Sequence, residues 1–155
     1  MLSQELKNFL DSKRIQYSTI SHAQSYTAQE IAATAHIPGK ILAKTVMVKL
    51  DGRMAMAVLP ATYVIDFNRL KEATGAKKAQ LAYEEDFREM FPDYETGAMP
   101  PFGNLFGMDV YVAESLAEDK EIAFNAGTHT DLVKMSYADF ERLAHPKVVN
   151  FSVKH

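Results

Sequence analysis

The sequence predicts one α+β domain with a mixed, mostly antiparallel central sheet and surrounding helices. Strands and helices interleave without a regular strand–helix alternation, residues 41–59 form a strong hairpin, and no Gly-x-Gly-x-x-Gly or Walker-type loop appears. A doubly wound nucleotide-binding sheet is therefore not expected. The 155 residues, taken as a single domain over 1–155, are 47% hydrophobic and 24% charged, which suits a self-sufficient core.

Leu2, Leu6, Phe9 and Leu10 recur at helical spacing and predict an amphipathic helix ending near Lys13-Arg14. A short strand, Gln16 to Ser21, follows. Thr27 with Glu30 three residues later is a capping-box pattern that opens a helix through Ile31, Ala32 and Ala35, stopped before Pro38-Gly39. Val46, Val48 and Leu50 alternate with Thr45, Met47 and Lys49, and Asp51-Gly52 turns this strand into its partner, Met54 to Leu59. Asp66 caps a helix from Phe67 to Thr74 with Gly75 as its stop, Lys77 to Leu81 is extended, and Tyr83 to Phe91 reads as a helix closed by Pro92.

Residues Tyr94 to Gly107 hold three glycines and two prolines, a density that breaks both periodicities and marks a long shaped loop. Strands at Met108 to Val112, Glu121 to Asn125 and Leu132 to Met135 come next, then a helix capped by Ser136 that reaches Leu143.

Composition removes several function classes. Without cysteine there is no disulfide framework, thiolate metal site or cysteine nucleophile, and the five histidines are scattered without ligand spacing, so neither a metal nor a cofactor is expected. The early charges at Glu5 and Lys7 do not suit a signal peptide, and no apolar run approaches the roughly 18 residues of a membrane span, so the expected location is cytoplasmic, with no membrane partner. A net charge of -3 and a pI near 5.9 mean that any nucleic-acid contact is local rather than spread over a basic face.

Several short motifs occur in a telling order. His22 precedes the Thr27 helix, Lys44-Thr45 opens the first long strand, Pro60 closes the hairpin, and the loop Gly97-Ala98-Met99-Pro100-Pro101-Phe102-Gly103 follows. Asn125-Ala126-Gly127 ends a strand, and Leu132 to Met135 leads into Ser136 and Leu143. This order, from about Ser21 to Leu143, resembles the YbaK family, also called the prolyl-tRNA-synthetase-associated editing domain. The family's glycine loop has the form Gly-x-x-x-Pro-x-Gly, matched by Gly97, Pro101 and Gly103. Met99-Pro100 fill positions where many members carry smaller or more polar residues, which bears on pocket shape and substrate.

The resemblance implies a free-standing enzyme that hydrolyses mischarged aminoacyl-tRNA carrying small residues such as Ala, Ser, Thr or Cys. Its expected partners are the acceptor end of mischarged tRNA and an aminoacyl-tRNA synthetase. The ester is already activated by the neighbouring ribose hydroxyl and the amino group, so the enzyme has mainly to position water and stabilise an oxyanion. The candidate catalytic residues are Lys44, as a compact cation for phosphate or ester oxygens, and Gly97, Pro101 and Gly103, as a stiff turn presenting backbone N–H groups. The candidate substrate-binding residues are His22, Thr45, Met99, Asn125, Gly127 and His129. Blander readings stand beside these: Lys44 as a solvated strand-end cation, the loop as a surface turn, the histidines as hydrogen-bonded caps, and Asn125 to Gly127 as a strand terminator. The alternative function is a non-catalytic module that binds aminoacyl-tRNA or an amino-acid-like ligand.

Overall fold

The computed structural model describes residues 3–24 and 27–154; Leu2, expected in the first helix, lies outside them. The chain opens with α1 (Gln4–Ser12), whose Ser3 cap accepts from the Leu6 N–H and whose Leu6 and Leu10 enter the core. Next come β1 (Tyr17–Ser21) and α2 (Ala28–Ala35), the latter capped by Thr27 through the Glu30 N–H as the sequence predicts. The hairpin is β2 (Leu42–Leu50) and β3 (Arg53–Pro60), in continuous antiparallel register from Ala43↔Pro60 to Leu50↔Arg53.

A short β4 (Tyr63–Ile65) leads to α3 (Phe67–Thr74), where the Asp66 carboxylate accepts from two N–H groups and Gly75 ends the helix at φ 76°. Then follow β5 (Ala79–Leu81) and α4 (Glu84–Phe87). The helix expected from Tyr83 to Phe91 is broken: its first turn is α-helical, but Arg88–Met90 tighten into a 3₁₀ turn. That tightening lets Phe87 and Phe91 enter the core edge to face, with ring centroids 6.2 Å apart.

The chain continues through β6 (Asp109–Ala113), α5 (Glu114–Ala117), β7 (Glu121–Asn125), β8 (Asp131–Ser136), α6 (Tyr137–Ala144), β9 (Lys147–Val149) and β10 (Ser152–Lys154). Seven strands run in the order β1-β8-β7-β2-β3-β6-β9, and β5 pairs farther along the β2 edge that β7 leaves, making an eight-stranded sheet. The β2–β7, β3–β6 and β6–β9 pairs are parallel and the others antiparallel, so the sheet is mixed as expected.

Successive strand residues point to opposite faces, and both faces are covered. On one face Ala43, Met47, Phe124 and Val133 join α1, α6 and the glycine loop in the main core, where the fully buried Phe102 meets Phe9, Phe124 and Phe140 edge-on at 5.5 Å. On the other face α3 and Phe151 cover Val48, Ala57 and Leu59, while α2 brings Ile31 onto Leu42, Ala123 and Leu132. Among the described residues no helix is long and apolar enough to cross a membrane.

Candidate functional site: a notch between β2, β7 and the glycine loop

The site is built on one edge of β2. Early in that edge β7 is the neighbour: the Ile41 carbonyl accepts from the Ala123 N–H at 2.9 Å, and the parallel ladder contains Leu42↔Ala123 and Ala43↔Phe124 before it stops. Farther along, β5 takes over. The Met47 carbonyl accepts from the Ala82 N–H at 3.0 Å, and the β5 ladder starts at Val48↔Leu81. Backbone groups of alternate residues face the same edge of a strand, so Ile41, Ala43, Thr45 and Met47 all point this way. Thr45 falls between the two ladders. The next parallel rung, from the Thr45 N–H to the Asn125 carbonyl, is absent, since the ladder ends at Ala43↔Phe124 although β7 stays paired with β8 through Asn125↔Leu132.

The glycine loop closes the far side of this gap. Gly127, on the extension of β7, accepts from the Glu95 N–H at 2.8 Å and donates to the Ala98 carbonyl at 2.9 Å, along the same β7 edge that β2 occupies lower down. Gly97 turns at φ 86°, a left-handed conformation that suits glycine. Gly127 sits at φ 101°, and a Cβ there would come within 3.0 Å of both Ser3 and the Tyr94 ring. His129, only 6% exposed, pins the loop: its Nε2 lies 2.8 Å from the Thr96 carbonyl, so that nitrogen carries the proton, and its main-chain N–H donates to the Glu95 carboxylate at 2.9 Å. Among the described residues the Gly97 and Met99 N–H groups donate to no backbone carbonyl.

Lys44 stands at the mouth of the gap. It shares a face with Leu42 and, by continuation of the Ala43↔Phe124 register, with Asn125 on the neighbouring strand. Among the described residues it forms no ion pair. Among the described residues the one hydrogen bond of its side chain is a long 3.5 Å contact to the Ala61 carbonyl, and burial pushes its amine below the usual 10.5. A half-buried cation without an anion is poorly compensated, and its setting favours an anionic ligand. Asn125 adds a buried Oδ1 without a hydrogen-bond partner.

Along this edge the Thr45 main chain lies between the two ladders, the loop holds Gly127 through Glu95 and Ala98, His129 ties Thr96, and Lys44 shares the opposite sheet face with Leu42. The remaining candidates have surroundings of their own. Gly103 is explained by packing, since a Cβ would lie 2.4 Å from the Met108 carbonyl oxygen and 2.8 Å from Val110. Pro101 is buried with Phe102 and shapes the loop from within. His22 lies past the end of β1, which β8 separates from β7; its Nδ1 is 2.7 Å from the Ala23 carbonyl, and its Nε2 is buried without a partner. The Thr45 side chain shares the core-facing side of β2 with Ala43 and Met47, so its main chain, not its hydroxyl, is what the notch exposes.

Sequence reasoning missed Glu95 and Thr96, which anchor His129, and Tyr94, whose hydroxyl donates to Glu5 and ties α1 to the loop. Their one visible signal is that they adjoin Gly97. A concavity of about 380 Å³, lined by Leu50, Arg53, Met90 and Tyr111 among others, lies at the hairpin end of β2 and β3, away from Lys44. Among the described residues no group of three or more His, Asp or Glu side chains is arranged to hold a metal.

The same arrangement of strands occurs in known proteins. A crystal structure of a proposed trans-editing enzyme for prolyl tRNA synthetase superposes with a TM-score of 0.83 at 18% identity, covering 99% of each chain. A hypothetical protein of solved structure reaches 0.86 at 20% identity over 97% of this chain and 100% of that one. Both establish the fold alone. In sequence, the Multifunctional Ser/Thr-tRNA deacylase ProXp-y of Escherichia coli (strain K12) is 30% identical over 157 residues, spanning 96% of this chain and 91% of that protein. Residues 22–143, which include Lys44, the glycine loop and His129, match the family described as the aminoacyl-tRNA editing domain. The chain therefore belongs to the aminoacyl-tRNA editing domain family.

Proposed function

We propose that this protein is a trans-editing hydrolase that releases small amino acids, serine and threonine foremost, from mischarged tRNA. Family membership supports the reaction class, and the similar E. coli protein is a Ser/Thr-tRNA deacylase. The observation that carries the reading on this chain is the interrupted edge of β2 at Thr45, beside a half-buried Lys44 that makes no ion pair among the described residues and along the β7 edge from a loop whose Gly97 and Met99 N–H groups donate to no backbone carbonyl among the described residues.

The chemistry needs no protein nucleophile. Water adds to the ester carbonyl carbon, and the negative charge that develops on the carbonyl oxygen is met by N–H donors of the loop, each worth roughly 3 to 4 kcal/mol of barrier when preorganised. The acyl C–O bond to the ribose then breaks. The ribose oxygen takes one proton of the water and the second is lost to solvent, leaving a carboxylate. Lys44 holds the nearby phosphate or ester oxygens and orients the acceptor end. The His129 bonds to Thr96 and Glu95 keep the loop donors in place. Selection for small side chains comes from the closeness of the loop; a surplus methylene alone changes discrimination by only about 1 to 3 kcal/mol.

The partner is the acceptor end of a mischarged tRNA, with an aminoacyl-tRNA synthetase as the source of the error, and the setting is the cytoplasm. The test is a deacylation panel of Ala, Ser, Thr, Cys and Pro on several tRNAs. Release of Ser and Thr above the spontaneous rate is expected. Binding of the tRNA ends with every ester left intact would replace the hydrolase by a binding module.

A further inference from the structure

The geometry points to the Thr45 main chain as the subsite for the aminoacyl group, which docks in place of the missing rung of the sheet. This rests on the editing reading and names what recognises the substrate. Three facts converge on it. The ladder to β7 ends at Ala43↔Phe124, the ladder to β5 starts at Val48↔Leu81, and continuous pairing with β3 from Ala43 to Leu50 keeps β2 straight and extended between them. Thr45 therefore presents one N–H and one carbonyl, fixed in direction, toward a gap that neither neighbour fills.

Unpaired strand-edge groups in the middle of a sheet are unusual, because interior backbone donors and acceptors nearly always find partners. An α-aminoacyl ester carries the groups that a strand residue would bring. Its ammonium donates where a backbone N–H would, and its ester carbonyl accepts where a backbone carbonyl would. Set against Thr45 as an antiparallel pair, the ammonium reaches the Thr45 carbonyl and the ester carbonyl reaches the Thr45 N–H. The unsatisfied Asn125 carbonyl rung and the partnerless Asn125 Oδ1 offer further acceptors for the remaining ammonium protons. The ester carbon then stands between Thr45 and the loop donors at Gly97 and Met99, and the ribose lies toward Lys44. Recognition by main chain is blind to the substrate side chain, which leaves size selection to the loop.

The decisive experiment replaces Thr45 in the full chain by its α-hydroxy acid, a main-chain ester that deletes the Thr45 N–H and keeps the side chain. Seryl-tRNA and the same tRNA carrying the deaminated analogue, 3-hydroxypropionate, are assayed, each corrected for its spontaneous hydrolysis. The expected results are a fall of at least about tenfold in kcat/KM for seryl-tRNA in the ester variant and a Tm lowered by no more than about 4 °C, since the N–H has no partner in the fold and the ester only weakens the Lys44 carbonyl as an acceptor toward β3. The unmodified protein is expected to prefer seryl over deaminated ester by at least about tenfold. A full rate in the ester variant, a large drop in its Tm, or equal use of the two esters overturns the inference. If the unmodified protein releases no serine or threonine at all, the editing reading itself fails.

Discussion

Gly103→Ala separates a packing glycine from a substrate-facing one. The added methyl would sit 2.4 Å from the Met108 carbonyl oxygen and 2.8 Å from Val110 Cγ2, whereas ordinary contacts begin near 3.4 Å, so something must move by about 1 Å. The obstacle is backbone. The Gly103 carbonyl also accepts from the N–H groups of Phe106 and Met108 at 2.9 and 3.0 Å, which fixes the turn against β6 and prevents an easy retreat. Overpacking typically costs 1 to 3 kcal/mol, and a rigid neighbour places this case near about 3 kcal/mol. For a chain of this size each kcal/mol lowers Tm by about 2 to 4 °C, giving a fall of about 6 to 12 °C. Circular dichroism melts measure it directly, and deacylation assayed well below the melt checks the site. A Tm within about 2 °C of wild type combined with lost activity would refute the packing argument and return Gly103 to the site.

Gly97→Ala has the opposite character: only His129 Cε1 lies near the new methyl, at 3.6 Å, so the cost is the left-handed backbone, about 1 to 2 kcal/mol, and the rate falls more than the stability does. In His129→Ala the Thr96 carbonyl loses its side-chain anchor while the main-chain N–H that binds the Glu95 carboxylate stays, costing about 1 to 3 kcal/mol, and hydrogen exchange at residues 96–99 is expected to speed up while that of β2 is unchanged. Lys44→Met does not lower Tm at neutral pH, because burial disfavours the charge it removes. The unfolded chain holds the Lys44 proton more tightly than the folded one. The charge therefore destabilises the fold fully below its lowered folded value, and this cost fades as pH rises toward 10.5, so melts across that range should show the advantage of Lys44→Met shrinking. An advantage that grows with pH would contradict the assigned direction.

Local chemistry explains what could be seen in the sequence. Thr27, Asp66 and Ser136 each accept from the N–H groups their cap positions imply, and Asp51 at φ 52° with Gly52 at φ 83° makes the hairpin turn. Such signals need only neighbouring residues. The short strands β4, β9 and β10 escaped notice because their pairing is long-range: Val64 meets Val153, and Val148 meets Val112, with no alternation long enough to read. The short α5 carries no side-chain cap hydrogen bond to announce it. At the site, motif order is what singles out Lys44 and the glycine loop as candidates. The notch was not, since it consists of a hydrogen bond that β2 and β7 fail to make. Gly103 shows the converse: a motif glycine whose reason is the approach of Met108, which no spacing in the sequence reveals.

Single-turnover release of serine and threonine from mischarged tRNA, compared between wild type and Lys44→Ala at matched folding, tests the account most directly. The expected result is rapid release by the wild type and a rate at least about tenfold lower in the variant with an unchanged melt. Equal rates in the two proteins would remove Lys44 from the reaction and with it the notch as the place where the ester is cut.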